Sequence, residues 1–120
     1  MTEAEHRILI GLVDGEHIAI DWPEMASEWS RIGVSFRSGA FAGAFRCNVL
    51  AAELHELERM LPVVKRDLVA YSWWTAERNI ALELTPSRLG KITVSVELSD
   101  DPAWRKLSFE MAIDKSYLPG

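Results

Sequence analysis

The sequence predicts an α+β fold in which a curved antiparallel sheet of about eight strands packs on one central helix. Two observations predict it. Apolar and polar residues alternate with a period of two in several runs on both sides of residue 50, which is typical of strands with one buried face. Only the stretch from Asn48 to about Leu61 shows the longer period of an amphipathic helix. The predicted order is therefore ββββ-α-ββββ, and the short turns favour antiparallel neighbours.

The predicted helix is defined by leucines that recur at steps of four, three and four and so share one face: Leu50, Leu54, Leu57 and Leu61. Asn48 is the expected N-cap, because its side-chain oxygen can accept a hydrogen bond from an unpaired amide of the first turn. Pro62 is expected to end the helix, since proline lacks the amide hydrogen and clashes with the carbonyl four residues back. A helix this short is marginal in water, so its leucine face must be buried against the strands.

The first four strands are separated by turn-forming sequences. Asp14-Gly15 lies between two alternating runs and predicts a hairpin, and Ser38-Gly39 predicts a second turn. Gly43 lies inside the fourth run, which indicates a bulge or a close approach of another group to the backbone. The four runs cover residues 8–12, 18–22, 32–36 and 41–47.

The last four strands follow the helix and cover residues 68–74, 80–85, 92–99 and 107–113. Residues 86–90 and the Asp100-Asp101-Pro102 sequence predict the turns between the later strands. If the apolar face of the sheet packs on the helix, one core should contain Phe36, Phe45, Leu54, Leu57, Leu82, Val94, Val96, Phe109 and Ile113.

The composition predicts one domain over residues 1–120, a length that can bury a core without cross-links. Its hydrophobic fraction of 48% is that of a folded chain. Cys47 is the single cysteine, which rules out an internal disulfide and favours a reducing compartment. The N-terminus has neither a signal-peptide pattern nor a membrane span. We therefore expect a cytoplasmic protein with no membrane partner.

The net charge of −5 argues against nucleic acid as a partner, because phosphate contacts need clustered lysines and arginines. The same charge is compatible with a basic protein partner that is steered by electrostatic attraction.

No pattern of catalytic, cofactor-binding or metal-ligating residues is present in the sequence. His6, His17 and His55 lie on different predicted elements, and none has a second ligand at the spacing of a zinc site. Cys47 falls on the predicted buried face, where a cysteine is usually an inert small hydrophobe. We therefore expect no cofactor, no metal and no enzymatic activity.

The five tryptophans are a high count for a chain of this length. Trp73 and Trp74 are adjacent, so in a strand they point to opposite faces and at least one of them leaves the core. Exposed aromatic side chains are favoured anchors of protein interfaces. Aromatic or acidic character on predicted edges and turns identifies the candidate partner-binding residues as Trp73, Trp74, Asp100, Asp101 and Trp104.

Three C-terminal segments form a recognisable order: Asp100-Asp101-Pro102, residues 107–110 and residues 113–119. Together with residues 34–43, the helix and residues 89–92, they resemble the WapI-type immunity protein family over roughly residues 30–119. The resemblance implies a bacterial cytoplasmic protein that binds and neutralises the toxic C-terminal domain of a polymorphic toxin, often a nuclease. It also implies that the motif residues Asp114 and Tyr117 anchor the last strand.

Two further hypotheses follow from the residues. A curved sheet around a helix can leave an aromatic-lined pocket, so the alternative function is a small-ligand-binding module with a pocket between sheet and helix. Apolar residues at Leu9, Val13 and Val69 depart from the alternation and suggest a homodimer that partly covers the second face.

Overall fold

A computed structural model describes residues 6–23, 28–102 and 104–120. Eight strands and one long helix follow in the predicted order: β1 His6–Gly11, β2 His17–Trp22, β3 Trp29–Ser38, β4 Phe41–Leu50, α1 Ala51–Asp67, β5 Tyr71–Trp74, β6 Ile80–Pro86, β7 Lys91–Asp101 and β8 Arg105–Asp114. A short 3-10 helix, Lys115–Tyr117, follows the last strand.

The strands form two four-stranded antiparallel sheets, a first sheet in the order β1-β2-β3-β4 and a second sheet in the order β5-β6-β7-β8. The α+β class and the ββββ-α-ββββ order are confirmed, and the predicted strands divide between two sheets instead of one curved sheet. The division arises because β4 leads directly into α1, which carries the chain away before β5 begins. Every pair in both sheets joins strands that are neighbours in the chain.

Both sheets and the helix share one core. The first sheet contributes isoleucines and Trp22, the second sheet contributes the alternating residues of β6 and β7, and the helix contributes its apolar face. The predicted aliphatic core residues are buried, namely Leu54, Leu57, Leu82, Val94, Val96 and Ile113. The three phenylalanines, Phe36, Phe45 and Phe109, pack against the core and are only partly buried.

The helix begins three residues later than predicted, and Asn48 is not its cap. Asn48 lies in β4 opposite Arg31, so the strand pairing extends through the position where the cap was expected. Leu50 is the N-cap residue, with an extended backbone. Its amide is satisfied by Glu53, whose Oε1 accepts the hydrogen bond at 2.9 Å, so a carboxylate three residues on replaces a capping side chain.

The helix also continues through Pro62 to Asp67, so the predicted end at Leu61 is wrong. A proline inside a helix costs about 3 kcal/mol, and two contacts offset that cost. Val64 is fully buried beyond the proline, and Lys65 Nζ donates to the carbonyls of Leu118 and Gly120 at 3.2 and 3.0 Å. The helix ends where Leu68 adopts a left-handed conformation, with φ of 53°.

Of the two residues that the resemblance implies as anchors, Asp114 has a structural role and Tyr117 is replaced by Leu118. Asp114 accepts a hydrogen bond from the amide of Ser116 at 2.9 Å and caps the 3-10 helix, while Tyr117 is exposed and Leu118 is buried in the core.

Among the described residues, no helix is long and apolar enough to cross a membrane.

Candidate partner-binding surface

Two turns of the second sheet lie side by side at one end of it, and they bring four of the predicted residues to the same end. The β5–β6 turn is joined to β7 by two hydrogen bonds: Asn79 Nδ2 donates to the carbonyl of Ser99 at 2.8 Å, and the amide of Ser99 donates to the carbonyl of Asn79 at 2.9 Å. The β7–β8 turn begins after Asp101, two residues beyond Ser99. We call this region the turn end, and its candidate residues are Trp74, Asp100, Asp101 and Trp104.

Trp73 and Trp74 point to opposite faces of β5, in agreement with the strand alternation. Trp73 is 3% exposed, and its indole nitrogen donates to the carbonyl of Glu53 on the helix at 2.9 Å. Trp74 is 54% exposed, and the guanidinium of Arg78 lies over its ring, 5.7 Å from the centroid. Trp73 therefore holds the helix on the second sheet, and Trp74 presents an aromatic surface to solvent.

The two aspartates at the end of β7 contribute different groups to the turn. Asp100 forms a bidentate ion pair with Arg105, in which Nε and Nη2 of the guanidinium donate to the two carboxylate oxygens at 3.1 and 3.2 Å. This hydrogen bonding lowers the pKa of the Asp100 carboxyl. The backbone carbonyl of Asp101 accepts from the amide of Trp104 at 2.9 Å, which closes the turn. Asp101 therefore closes the turn through its backbone, and Asp100 and Arg105 place charged side chains beside it.

Trp104 is 81% exposed and lies beside a groove of about 530 Å³ between the two sheets. The sheets make close contacts where β3 meets β8 and β4 meets β7. The apolar walls of the groove come from both sheets, and its rim carries charged side chains from the adjoining ends of β7 and β8. These residues are Phe36, Phe45, Leu98 and Leu107 in the walls and Asp100, Arg105 and Lys106 on the rim. The groove is thus an open apolar surface next to an exposed tryptophan.

Sequence reasoning missed this groove because it assigned Phe36 and Phe45 to the core. The available signal was Gly43: a Cβ at that position would lie 2.9 Å from the ring of Phe36, so only glycine lets the phenylalanine lie across β4. Phe36 also stacks on Phe109 of β8, with 5.5 Å between ring centroids. This contact fixes the groove wall where the sheets meet.

A second groove of about 480 Å³ lies on the other side of Asp100 and has a mixed charge. Arg31 and Arg46 of the first sheet face Glu77, Asp100 and Asp101 of the second across it. Cys47 also contributes to its lining but is buried, as predicted, and burial raises the pKa of its thiol to about 11. The thiol is therefore protonated near neutral pH, and a protonated thiol is a poor nucleophile.

The space between the helix and the sheets is filled by the core, since the apolar face of α1 is fully buried. A shallow groove of about 290 Å³ lies at the surface between the start of α1 and β5. Its two carboxylates are already engaged, because Glu53 accepts from the amides of Leu50 and Ala76, and Glu56 accepts from the hydroxyl of Tyr71. Within the described ranges, no three histidine, cysteine, aspartate or glutamate side chains come together as a metal site.

Comparison with known proteins gives a match to a protein family. The model of the immunity protein WapI-like family matches residues 5–120, which extends the resemblance to nearly the whole chain, including the first sheet. No curated protein and no solved structure gives a significant match. Since the family model spans both sheets and the helix between them, the chain belongs to the WapI-like immunity protein family.

Proposed function

We propose that this protein binds a bacterial toxin domain in the cytoplasm and neutralises it by direct contact, without a catalytic step of its own. Membership of an immunity protein family supports a protein partner of this kind. The main support for placing the binding surface at the turn end is the exposure of Trp104 beside the 530 Å³ groove.

The turn end offers the contacts that protein interfaces use most effectively. An aromatic side chain next to an apolar groove can be desolvated together with a partner side chain, and such central contacts dominate binding energy. Trp74 provides a second exposed aromatic ring at the same end. The second groove at this end carries the carboxylates of Glu77, Asp100 and Asp101 opposite Arg31 and Arg46, and such charges select the orientation of a partner.

The net charge of −5 supports a basic toxin domain as the partner. Opposite net charges accelerate encounter and are screened by salt. Neutralisation then requires only that the bound protein cover the active surface of the toxin or hold it closed. A nuclease toxin fits this scheme, because a surface that binds phosphates is itself basic.

The small-ligand alternative receives less support from the geometry. The helix–sheet interface is filled by the core, and the polar groups of the shallow groove beside α1 are bound to the chain itself. The grooves at the turn end lie at the surface between strands and turns, where a protein segment can reach them.

Binding of a purified toxin domain to a Trp104→Ser variant tests the proposal. The toxin domain is first recovered by affinity capture with the tagged protein, and elution with high salt is expected. We expect Trp104→Ser to weaken binding at least tenfold in calorimetry, since truncation of a central aromatic anchor typically costs about 2 kcal/mol or more.

Leu89→Ser is the matched control. Leu89 is 95% exposed and lies in the β6–β7 turn, at the opposite end of the second sheet, so its loss should leave affinity unchanged. Equal affinity of wild type and Trp104→Ser would contradict the assignment of the turn end, and recovery of no toxin domain would contradict the function itself.

A further inference from the structure

The strand β8 presents an open edge. It is the last strand of the second sheet and pairs only with β7 among the described residues. It spans ten residues, Arg105–Asp114, whereas the opposite edge strand β5 has four. The unpaired N–H and C=O groups of such an edge are a template for another strand.

One hydrogen bond identifies which residues of β8 direct their backbone groups outward. The amide of Lys115 donates to the carbonyl of Gly90 at 2.8 Å, and these residues are opposite each other because Lys91 pairs with Asp114. Hydrogen-bonded and non-bonded pairs alternate along antiparallel strands. The residues whose backbone groups face β7 are therefore Leu107, Phe109, Met111 and Ile113, and those whose groups face the open edge are Lys106, Ser108, Glu110 and Ala112.

We propose that β8 pairs antiparallel with β8 of a second copy of this chain, about a two-fold axis at Ser108. In this register Lys106 lies opposite Glu110 of the second copy, and the symmetry repeats the contact on the other side. On the inner face Leu107 lies opposite Phe109 of the second copy. The second sheet of one copy and the second sheet of the other then form one continuous eight-stranded sheet.

The alternation of backbone groups and the charges select this register. Only residues that direct their groups outward can exchange hydrogen bonds, so registers that differ by one residue are excluded, and they would also reverse the buried face. A two-fold axis at Phe109 leaves Lys106 opposite an alanine. An axis at Glu110 places Lys106 opposite Asp114, whose carboxylate already caps the 3-10 helix, and it brings two Glu110 carboxylates together, which is unfavourable for directly opposed residues.

Side-chain exposure supports the same pairing. Leu107 is 39% exposed although its position faces inward, so the pairing would cover it with Phe109 of the second copy. Leu107 also lines the 530 Å³ groove, so the second copy and a toxin domain would compete for that wall. Lys106 lies 3.6 Å from Glu97 in an exposed ion pair, and its three N–H donors leave it able to contact a second carboxylate. Glu110 accepts from Ser95 of β7 at 3.2 Å through one carboxylate oxygen, and its other oxygen can accept from Lys106 of the second copy.

Charge reversal combined with mixing tests the register. Sedimentation velocity over a range of concentrations should show a dimer for the wild type. Lys106→Glu and Glu110→Lys each place like charges opposite each other, so either variant alone should sediment as a monomer. An equimolar mixture restores both opposite-charge pairs and should sediment as a heterodimer, which also shows that both variants are folded.

Disulfide trapping locates the axis. Hydrogen-bonded antiparallel pairs have Cα atoms about 5.5 Å apart, within the range that a disulfide spans, so Ser108→Cys should give a covalent dimer under mild oxidation. Ala112→Cys is the control, because it is exposed on the same face but lies far from its own copy in this register. A wild-type monomer at all concentrations, unchanged dimers in both single charge variants, or equal cross-linking of both cysteine variants would overturn the proposal.

Discussion

The outer faces of the two sheets carry opposite charges, although both sheets bury the same kind of side chain inside. The outer face of the first sheet has three exposed arginines, Arg31, Arg37 and Arg46, while Arg7 there is paired with Asp21. The outer face of the second sheet has Glu83, Glu97 and Glu110 around a shallow groove of about 440 Å³. The net charge of −5 is therefore unevenly distributed, with positive charge on one outer face and negative charge on the other. We expect the two faces to bind different partners.

The two sheets share one interior, and the largest expected effect tests that statement. Leu57 is fully buried in the common core, so Leu57→Ala should reduce the free energy of unfolding by about 2–5 kcal/mol through the cavity it leaves. Chemical denaturation should show one transition when it is followed by tryptophan fluorescence and by circular dichroism. Separate transitions, or a loss below about 0.5 kcal/mol, would mean that the sheets are independent.

A substitution at the contact between the two sheets is expected to reduce stability less than Leu57→Ala does. A Cβ on Gly43 would lie 2.9 Å from the Phe36 ring, so Gly43→Ala must displace that ring and should cost about 1–3 kcal/mol. Gly33→Ala is the matched control on the outer face of the same sheet, where the nearest atom is 4.0 Å away. Thermal unfolding of the two variants measures the difference, and equal melting temperatures would contradict the packing of Phe36 across β4.

The smallest expected effect sharpens the contrast between the outer faces. Glu83→Lys weakens the acidic face and should slow association with a basic toxin domain about two- to fivefold at low salt, since long-range charges act mainly on the association rate. Arg37→Glu weakens the basic face away from the turn end and should leave association unchanged or faster. Association rates at low and high salt check both variants, and a difference that persists at high salt would contradict a steering effect.

The strands were predictable because each has one buried face, and a period of two in the sequence records it. Val94 and Val96 of β7 alternate with polar residues through the whole strand, and the structure buries both of them. The ends of the helix were not predictable in the same way. Asn48 is a good cap in isolation, but pairing with Arg31 keeps it in β4, and Pro62 is retained because distant residues hold the turn that follows it.

The candidate surface was predictable in its turns and not in its groove. Adjacent Trp73 and Trp74 had to separate, and a tryptophan after a turn signal was a reasonable candidate for exposure. The groove depends on two sheets that approach each other at β3 and β8, and no local pattern encodes that distance. The sequence did not predict Arg31 and Arg46 as part of this surface for the same reason, since they reach the turn end only through tertiary packing.

The order of strands within each sheet has a consequence for how the chain folds. Each sheet is a simple meander, in which every strand pairs with its neighbour in the chain. Ladders of this kind can grow by successive hairpins, with short loops to close at each step. Contacts between residues far apart in the chain are then needed mainly where the two sheets meet around the helix that joins them. Such local connectivity favours faster folding than is usual for β-rich chains with distant strand pairings.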